Sequence, residues 1–263
     1  MMATTYRYQL FYNRISKFRN KMLACDKCGG EGYLPVDRNS NGILIPYKDC
    51  ECKKEFFNTK KIIMSNIPIK RIKLLTGNIK KRVVVNPLNG KQTSLYKKVI
   101  KRYINKFEEA RSNGLGLMFF GHPGSGKTVA GMYVIANLIN KNYDCYYIYF
   151  KDLISLLIES YNDDEKKPLF KEIINVDLLV IDELSLVSRV TPLMISEFSS
   201  ICKQRFEAGK PTIIISNYKT TEEIYKNFGS PMESLLNEAF APFKFVDTDM
   251  RVDKLDYIKS FFE

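Results

Sequence analysis

No stretch of this 263-residue chain approaches the ~20 consecutive apolar residues that a bilayer-spanning helix needs. The segment from Met1 to Arg19 mixes Arg, Lys, Tyr and Asn and lacks the apolar centre of a secretory signal. These two absences point to a cytoplasmic protein with no membrane association. There is no internal repeat and no low-complexity tract, which sets aside a repeat architecture. Acidic residues are scarce in the first 112 positions, 8 against 25 Lys and Arg, a balance of +17; residues 113–263 carry 21 against 16, a balance of −5. The basic part reads either as a surface for a polyanion, nucleic acid first, or as a Lys-rich solvated face. Cysteine is sparse outside residues 25–52, which hold four of the six, and Cys145 and Cys202 stand alone in apolar surroundings. A disulfide framework is therefore not expected. What remains, 45% hydrophobic and 27% charged, is ordinary globular composition with room for one good core and a smaller module.

The most informative stretch runs from Gly114 to Thr128. An apolar run, Leu115 to Phe120, has the length of a buried strand and leads into Gly121-His122-Pro123-Gly124-Ser125-Gly126-Lys127-Thr128. This is G-x-x-x-x-G-K-[ST], the P-loop pattern, and Val129, Tyr133, Val134, Ala136 and Leu138 follow at helical spacing. The glycines let the backbone turn tightly around an anion, and the helix N-terminus adds its positive dipole end. Lys127 brings a charge to the β- and γ-phosphates, and the Thr128 hydroxyl suits Mg²⁺. ATP and Mg²⁺ are the ligands this implies, with residues 121–128 as the binding loop.

Further apolar runs without alternation follow, separated by helical patterns. Cys145–Phe150, Val176–Ile181 and Thr212–Ile215 read as buried strands, residues 151–161 and 192–208 as helices. That is an α/β fold with a parallel sheet between helices, and ligand groups should gather at the carboxyl ends of its strands. Asp182 and Glu183 follow one such strand, where Asp182 can share a Mg²⁺ shell with Thr128 and Glu183 can polarise a water as general base. The pair could alternatively cap a helix. Asn217 follows another strand and either orients that water and senses the γ-phosphate or caps the next turn.

Towards the N-terminus, Tyr8, Phe11, Tyr12, Ile15 and Phe18 suggest a short amphipathic helix, packed within the chain or against a partner helix. Cys25-x-x-Cys28 on a Gly-rich knuckle and Cys50-x-Cys52 can supply four thiolates to a closed tetrahedral Zn²⁺ site, structural because no position is left for water. Free thiols, a redox pair or an iron–sulfur cluster are the alternatives. Residues 33–49 look like a hairpin around Asn39–Gly42. Residues 53–75 are basic and apolar, helical to about Met64; residues 94–112 return to helical period and end at Asn113-Gly114. The expected organisation is a helix and zinc module at 1–65, an irregular linker at 66–93 with one strand at Val83–Val85, and an ATPase domain at 94–263.

The run Gly-His-Pro-Gly-Ser-Gly-Lys-Thr, then Leu-Leu-Val-Ile-Asp-Glu-Leu, then Arg205-x-x-x-Gly-Lys-Pro-Thr-Ile-Ile-Ile-Ser-Asn resembles the AAA+ ATPases of the DnaC/DnaI/IstB group, over about residues 94–252. The resemblance implies an AAA+ P-loop NTPase fold in which Gly121–Thr128 is Walker A, Asp182-Glu183 Walker B, Asn217 sensor 1 and Arg251 the sensor 2 arginine. It implies slow ATP hydrolysis by Lys127, Asp182, Glu183, Asn217 and Arg251. The four-cysteine module followed by Asn66-Ile67-Pro68 resembles replicative helicase loaders. That implies a DnaB-type helicase and single-stranded DNA as partners, and homo-oligomers on ATP and DNA. The alternatives are a transposition helper on double-stranded DNA and a nucleotide-sensing clamp with little hydrolysis. The family's trans-acting arginine has no counterpart in Ser230–Asn237, leaving Arg189 and Arg205 as candidates. The helix at 151–161, with Lys151, Tyr161, Lys166 and Lys167, falls where the family places a single-strand contact, although Asp152, Glu159, Asp163 and Asp164 oppose it. A full helical lid after the last strand, Phe243–Val246, is not expected.

Overall fold

The computed structural model describes residues 6–38, 44–68, 83–87, 90–185 and 191–246. The hairpin tip 39–43, Arg189, Arg251 and the segment after 246 lie outside the described residues. The chain divides into two compact units, Met1–Pro68 and Ile69–Glu263.

In the first unit, helix α1 (Tyr6–Leu23) packs on helix α2 (Glu51–Met64). Phe11 and Ile15 are buried one turn apart, as the three- and four-residue spacing predicts, whereas Tyr12 is half exposed, so the apolar stripe is narrower than expected. Between the helices run antiparallel strands β1 (Tyr33–Arg38) and β2 (Leu44–Asp49), the hairpin that residues 33–49 predict.

The second unit is built on a sheet with order β4-β3-β9-β5-β8-β7-β6. Its parallel part comprises β5 (Gly116–Gly121), β6 (Cys145–Tyr149), β7 (Leu178–Leu184), β8 (Thr212–Ser216) and β9 (Phe240–Phe245). The three central apolar runs are almost wholly buried, which is why they show no alternation: a parallel sheet has helices on both faces. Those helices are α5 (Lys127–Asn140), α6 (Phe150–Asn162), α7 (Lys166–Ile174), α8 (Pro192–Glu207) and α9 (Thr221–Ala239). Phe150, Phe198 and Phe228, from α6, α8 and α9, meet with ring centroids 5.0 to 6.1 Å apart and lock these helices together.

A strand stands where expected, at Val83–Val85, while a second strand beside it and the segment 95–112 differ from expectation. Strands β3 (Val83–Val85) and β4 (Gln92–Ser94) extend the sheet, β3 pairing antiparallel with both β4 and β9. The stretch read as linker thus feeds the sheet, because three consecutive valines cover an edge that β9 would otherwise expose. Residues 95–112 form no single helix. A π-helical turn at Leu95–Ile100 leads into α3 (Lys101–Asn105) and α4 (Phe107–Ser112), broken at Lys106. Ile100, Tyr103, Ile104, Phe107 and Ala110 are buried at the spacing of one helix face, and the wider π-helical turn brings Leu95, otherwise out of phase, to the buried side as well. Gly114, at φ +62°, closes this segment with its N–H on the Arg111 carbonyl, 2.9 Å.

Candidate functional site

Strand order makes the site. β8 lies between β5 and β7, so the carboxyl ends carrying Gly121, Asn217 and Asp182-Glu183 are neighbours. Gly121, Gly124 and Gly126 have φ of 123°, 77° and 94°, values that favour glycine. Gly121 has a second constraint: a Cβ there would sit 2.4 Å from the Phe245 carbonyl oxygen of β9. Gly126 is the N-cap of α5, and Thr128 is in its first turn, half-buried. Lys127 is 4% exposed, and its Nζ donates to the carbonyls of Gly121 at 2.8 Å and His122 at 2.7 Å. Ser125 Oγ donates to the same His122 carbonyl at 2.7 Å, stiffening the loop. His122 and Pro123 are exposed.

Asp182 is 2% exposed. One carboxylate oxygen accepts the Glu183 N–H at 2.7 Å, the other the Tyr147 hydroxyl at 2.6 Å. Burial, then the Asp182 charge and this bond, push the Tyr147 phenol far above its ordinary range. Glu183 is exposed and has φ +58°. Here β7 bulges: its register to β8 shifts between Ile181, opposite Ile214, and Leu184, opposite Ser216. The bulge turns Glu183 out of the sheet while Asp182 stays in. Ser216 Oγ donates to the Leu184 carbonyl at 2.8 Å and accepts the Tyr218 N–H at 3.2 Å, and the Tyr218 carbonyl accepts the Gly121 N–H at 2.9 Å. Hydrogen bonds therefore tie all three strand ends together. Asn217 is exposed at the centre of that arrangement. Tyr147 and Ser216 carry no sequence signal beyond a hydroxyl in an apolar strand. Thr128 and Asp182 offer a hydroxyl and a buried carboxylate, hard oxygen donors that fit Mg²⁺.

Arg205 is not a trans-acting arginine. It is 2% exposed, and its guanidinium donates to Thr212 Oγ1 and the carbonyls of Ile174, Val176 and Pro211 at 2.6 to 3.1 Å. Burial lowers its pKa to about 10, so it stays charged at neutral pH. Its family-like spacing to Thr212 reflects this tie between α8, β8 and the turn before β7. In α9, the Gly229 kink (φ 79°, ψ 173°) precedes Ser230–Asn237, which presents no cation. On α6, Tyr161 is 60% exposed but its hydroxyl bonds Glu197, 3.0 Å. Lys167 pairs with Asp164 at 2.6 Å and Lys166 lies 3.9 Å from Glu159, so local acids offset these cations.

The first unit gathers Cys25, Cys28, Cys50 and Cys52, whose sulfurs all lie within 4.8 Å of one another. Sγ separations are 3.9 Å for Cys25 and Cys50 and 3.5 Å for Cys28 and Cys52. A tetrahedral Zn²⁺ at ~2.3 Å from each sulfur sets them about 3.8 Å apart, so the donor set fits zinc. The knuckle glycines Gly29 and Gly30 have positive φ, and the Gly32 N–H points at Cys28 Sγ, 3.3 Å. Burial works against the Cys28 thiolate, but the Gly32 and Gly30 N–H groups and neighbouring thiols bring its pKa down to about 7. Cys52 is pushed up by desolvation and by the thiols of Cys50 and Cys28. Cys50 is the N-cap of α2, so two sulfurs sit at a helix N-terminus, where the dipole favours negative charge.

No protein-family model matches the sequence, and no curated protein does. Among solved structures, the chain is similar to the DnaC helicase loader, at 25% identity and TM-score 0.51 over 56% of this chain and 85% of that one. It is also similar to DnaI, at 21% identity and TM-score 0.51 over 70% and 94%. No helix is long and apolar enough to cross a membrane, among the described residues. The chain thus has the α/β fold of the AAA+ P-loop proteins, with the DnaC helicase loader and DnaI as structural neighbours and a four-cysteine cluster in its N-terminal unit.

Proposed function

We propose that this protein is an ATP-driven loader of a replicative, DnaB-type helicase. The observation that carries the ATPase reading is the adjacency of Lys127, Asp182, Glu183 and Asn217 on three hydrogen-bonded strand ends. In this reading the loop 121–128 wraps the phosphates, and Lys127 leaves the Gly121 and His122 carbonyls for the β- and γ-phosphate oxygens. Glu183, turned outward by the bulge, accepts a proton from the attacking water, and Asn217 orients that water. Mg²⁺, held by Thr128 and the Asp182 carboxylate, would neutralise charge on the leaving phosphates. Arg251 is proposed to complete the site from the C-terminal segment. Turnover is slow, since Ser230–Asn237 brings no cation to a neighbour's nucleotide. The loader reading is supported by the likeness to the DnaC helicase loader and by the zinc-type module, which we assign to helicase binding. Single-stranded DNA is the second partner, and homo-oligomers form on ATP and DNA in the cytoplasm.

Two measurements test this. Glu183→Gln should retain ATP binding and lose at least ~100-fold in turnover; unchanged turnover removes Glu183 from its role. The full chain should retain a hexameric replicative helicase on a column, and Cys28→Ser/Cys52→Ser should lose it. If the full chain instead forms ATP-dependent filaments on duplex DNA and binds no helicase, the transposition-helper reading replaces this one.

A further inference from the structure

Tyr147 is a buried hydroxyl in the second unit that the hydrolytic reading leaves without a role. It is 1% exposed, on β6, the edge strand of the sheet order. β6 runs parallel to β7 with Tyr147 opposite Val180 and Tyr149 opposite Asp182. Side chains two apart on a strand share a face, and directly paired residues share it too. Tyr147, Val180 and Asp182 therefore lie on one side of the sheet. That side is the one α5 covers: a Cβ on Gly131 of α5 would meet Val180 Cγ1 at 3.1 Å and Ile215 Cδ1 at 2.8 Å. From one residue pair behind, the phenol reaches forward and places its hydroxyl 2.6 Å from Asp182 Oδ2.

This bond does two things to the carboxylate. With Oδ1 already receiving the Glu183 N–H, the second donor fixes rotation about the side chain, so both oxygens have set directions. It also compensates a charge that is almost fully removed from water, where an unsatisfied carboxylate is costly. Without it, Asp182 could rotate within the β7 bulge. Each oxygen accepts more than one hydrogen bond, so both keep capacity for a further partner.

We propose that Tyr147 is the positioning residue for the metal-facing carboxylate: its hydroxyl orients Asp182 so that the nucleotide is bound with its divalent cation. The proposal rests on the reading of residues 121–128 and Asp182 as an ATP·Mg²⁺ site. Tyr147 touches neither nucleotide nor metal and acts only through Asp182.

The test is a titration of the full chain with a fluorescent ATP analogue at a series of Mg²⁺ concentrations, with a thermal melt of each variant. A charged hydrogen bond of this kind is worth roughly a factor of ten or more in equilibrium. Tyr147→Phe should therefore raise the Mg²⁺ concentration giving half-maximal nucleotide affinity by about tenfold, and leave affinity in excess chelator unchanged. A purely structural role would weaken both. Asp182→Asn and Asp182→Asn/Tyr147→Phe form the second arm, and the double variant holds no buried charge should the single one fail to fold. The two should show the same Mg²⁺ dependence, since the hydroxyl has lost its charged partner. Wild-type Mg²⁺ dependence in Tyr147→Phe, or a difference between the two Asn proteins, overturns the role of Tyr147. No nucleotide binding by the wild type at any Mg²⁺ concentration overturns the ATP-site reading itself and the proposal with it.

Discussion

Glu183 holds a φ of +58°, in the left-handed region that a residue with a long side chain rarely adopts. Such geometry costs on the order of 1 kcal/mol and persists where the surroundings impose it. Here the Asp182 carboxylate bonded to the Glu183 N–H and the Ser216 hydroxyl on the Leu184 carbonyl hold the bulge on both sides. Asn tolerates this backbone better, so Glu183→Asn should stabilise the fold by about 0.5–1 kcal/mol in urea denaturation while ATP turnover collapses. A destabilised variant would mean that the bulge is relaxed. Arg205 is the opposite case, a charge kept for architecture. Arg205→Met leaves the Ile174, Val176 and Pro211 carbonyls without their shared donor, and unfolding free energy should fall by about 3 kcal/mol or more. Arg205→Lys should recover little, because an ammonium cannot span three carbonyls and a hydroxyl in one plane.

At the scale of elements, the cysteine knuckle is what the short hairpin and two helices close upon. The Cys50 N–H bonds the Gly32 carbonyl at 2.9 Å, and Lys53 and Lys54 begin α2 on the Cys50 carbonyl. Besides these ties, the unit relies on the α1–α2 face, whose buried residues include Phe11, Ile15 and Ile63. So small a core would depend on a metal held by the four cysteines. A strong chelator should therefore abolish a low-temperature transition in calorimetry of the full chain and reduce helical signal, while ATP binding by the second unit persists; a single unchanged transition would contradict the zinc assignment. The P-loop is also an element-scale object. Its first glycine is demanded twice, by the turn into the loop and by the contact with the β9 backbone, so residues 121–128 and the last strand are built as one piece.

For the whole molecule, charge is the long-range property. A chain that is +17 over residues 1–112 and −5 over the rest should bind single-stranded DNA mainly by displacing counterions. Fluorescence anisotropy should show affinity falling at least ~10-fold between 50 and 200 mM salt. Affinity indifferent to salt would point to stacking on residues such as Tyr161 instead. The first turn of α7 adds little to that field, since Lys166 and Lys167 lie beside Glu159 and Asp164.

Sequence alone determined the P-loop, the parallel strands and the cysteine quartet, because each is written locally. A glycine spacing, an unbroken apolar run and two paired cysteine motifs need no distant contact to be recognised. The same holds for Asp182-Glu183 and Asn217, whose positions follow from being next to such runs. Tertiary structure alone decided what depends on strand order and burial. It brought Tyr147 to Asp182 across a strand pair, turned Glu183 outward through a bulge visible only against β8, and made the valines at 83–85 part of the sheet. It also took Arg205 out of contention as a trans-acting residue. An arginine in a helical pattern looks the same in sequence whether its guanidinium meets solvent or buried carbonyls, and only packing tells the two apart.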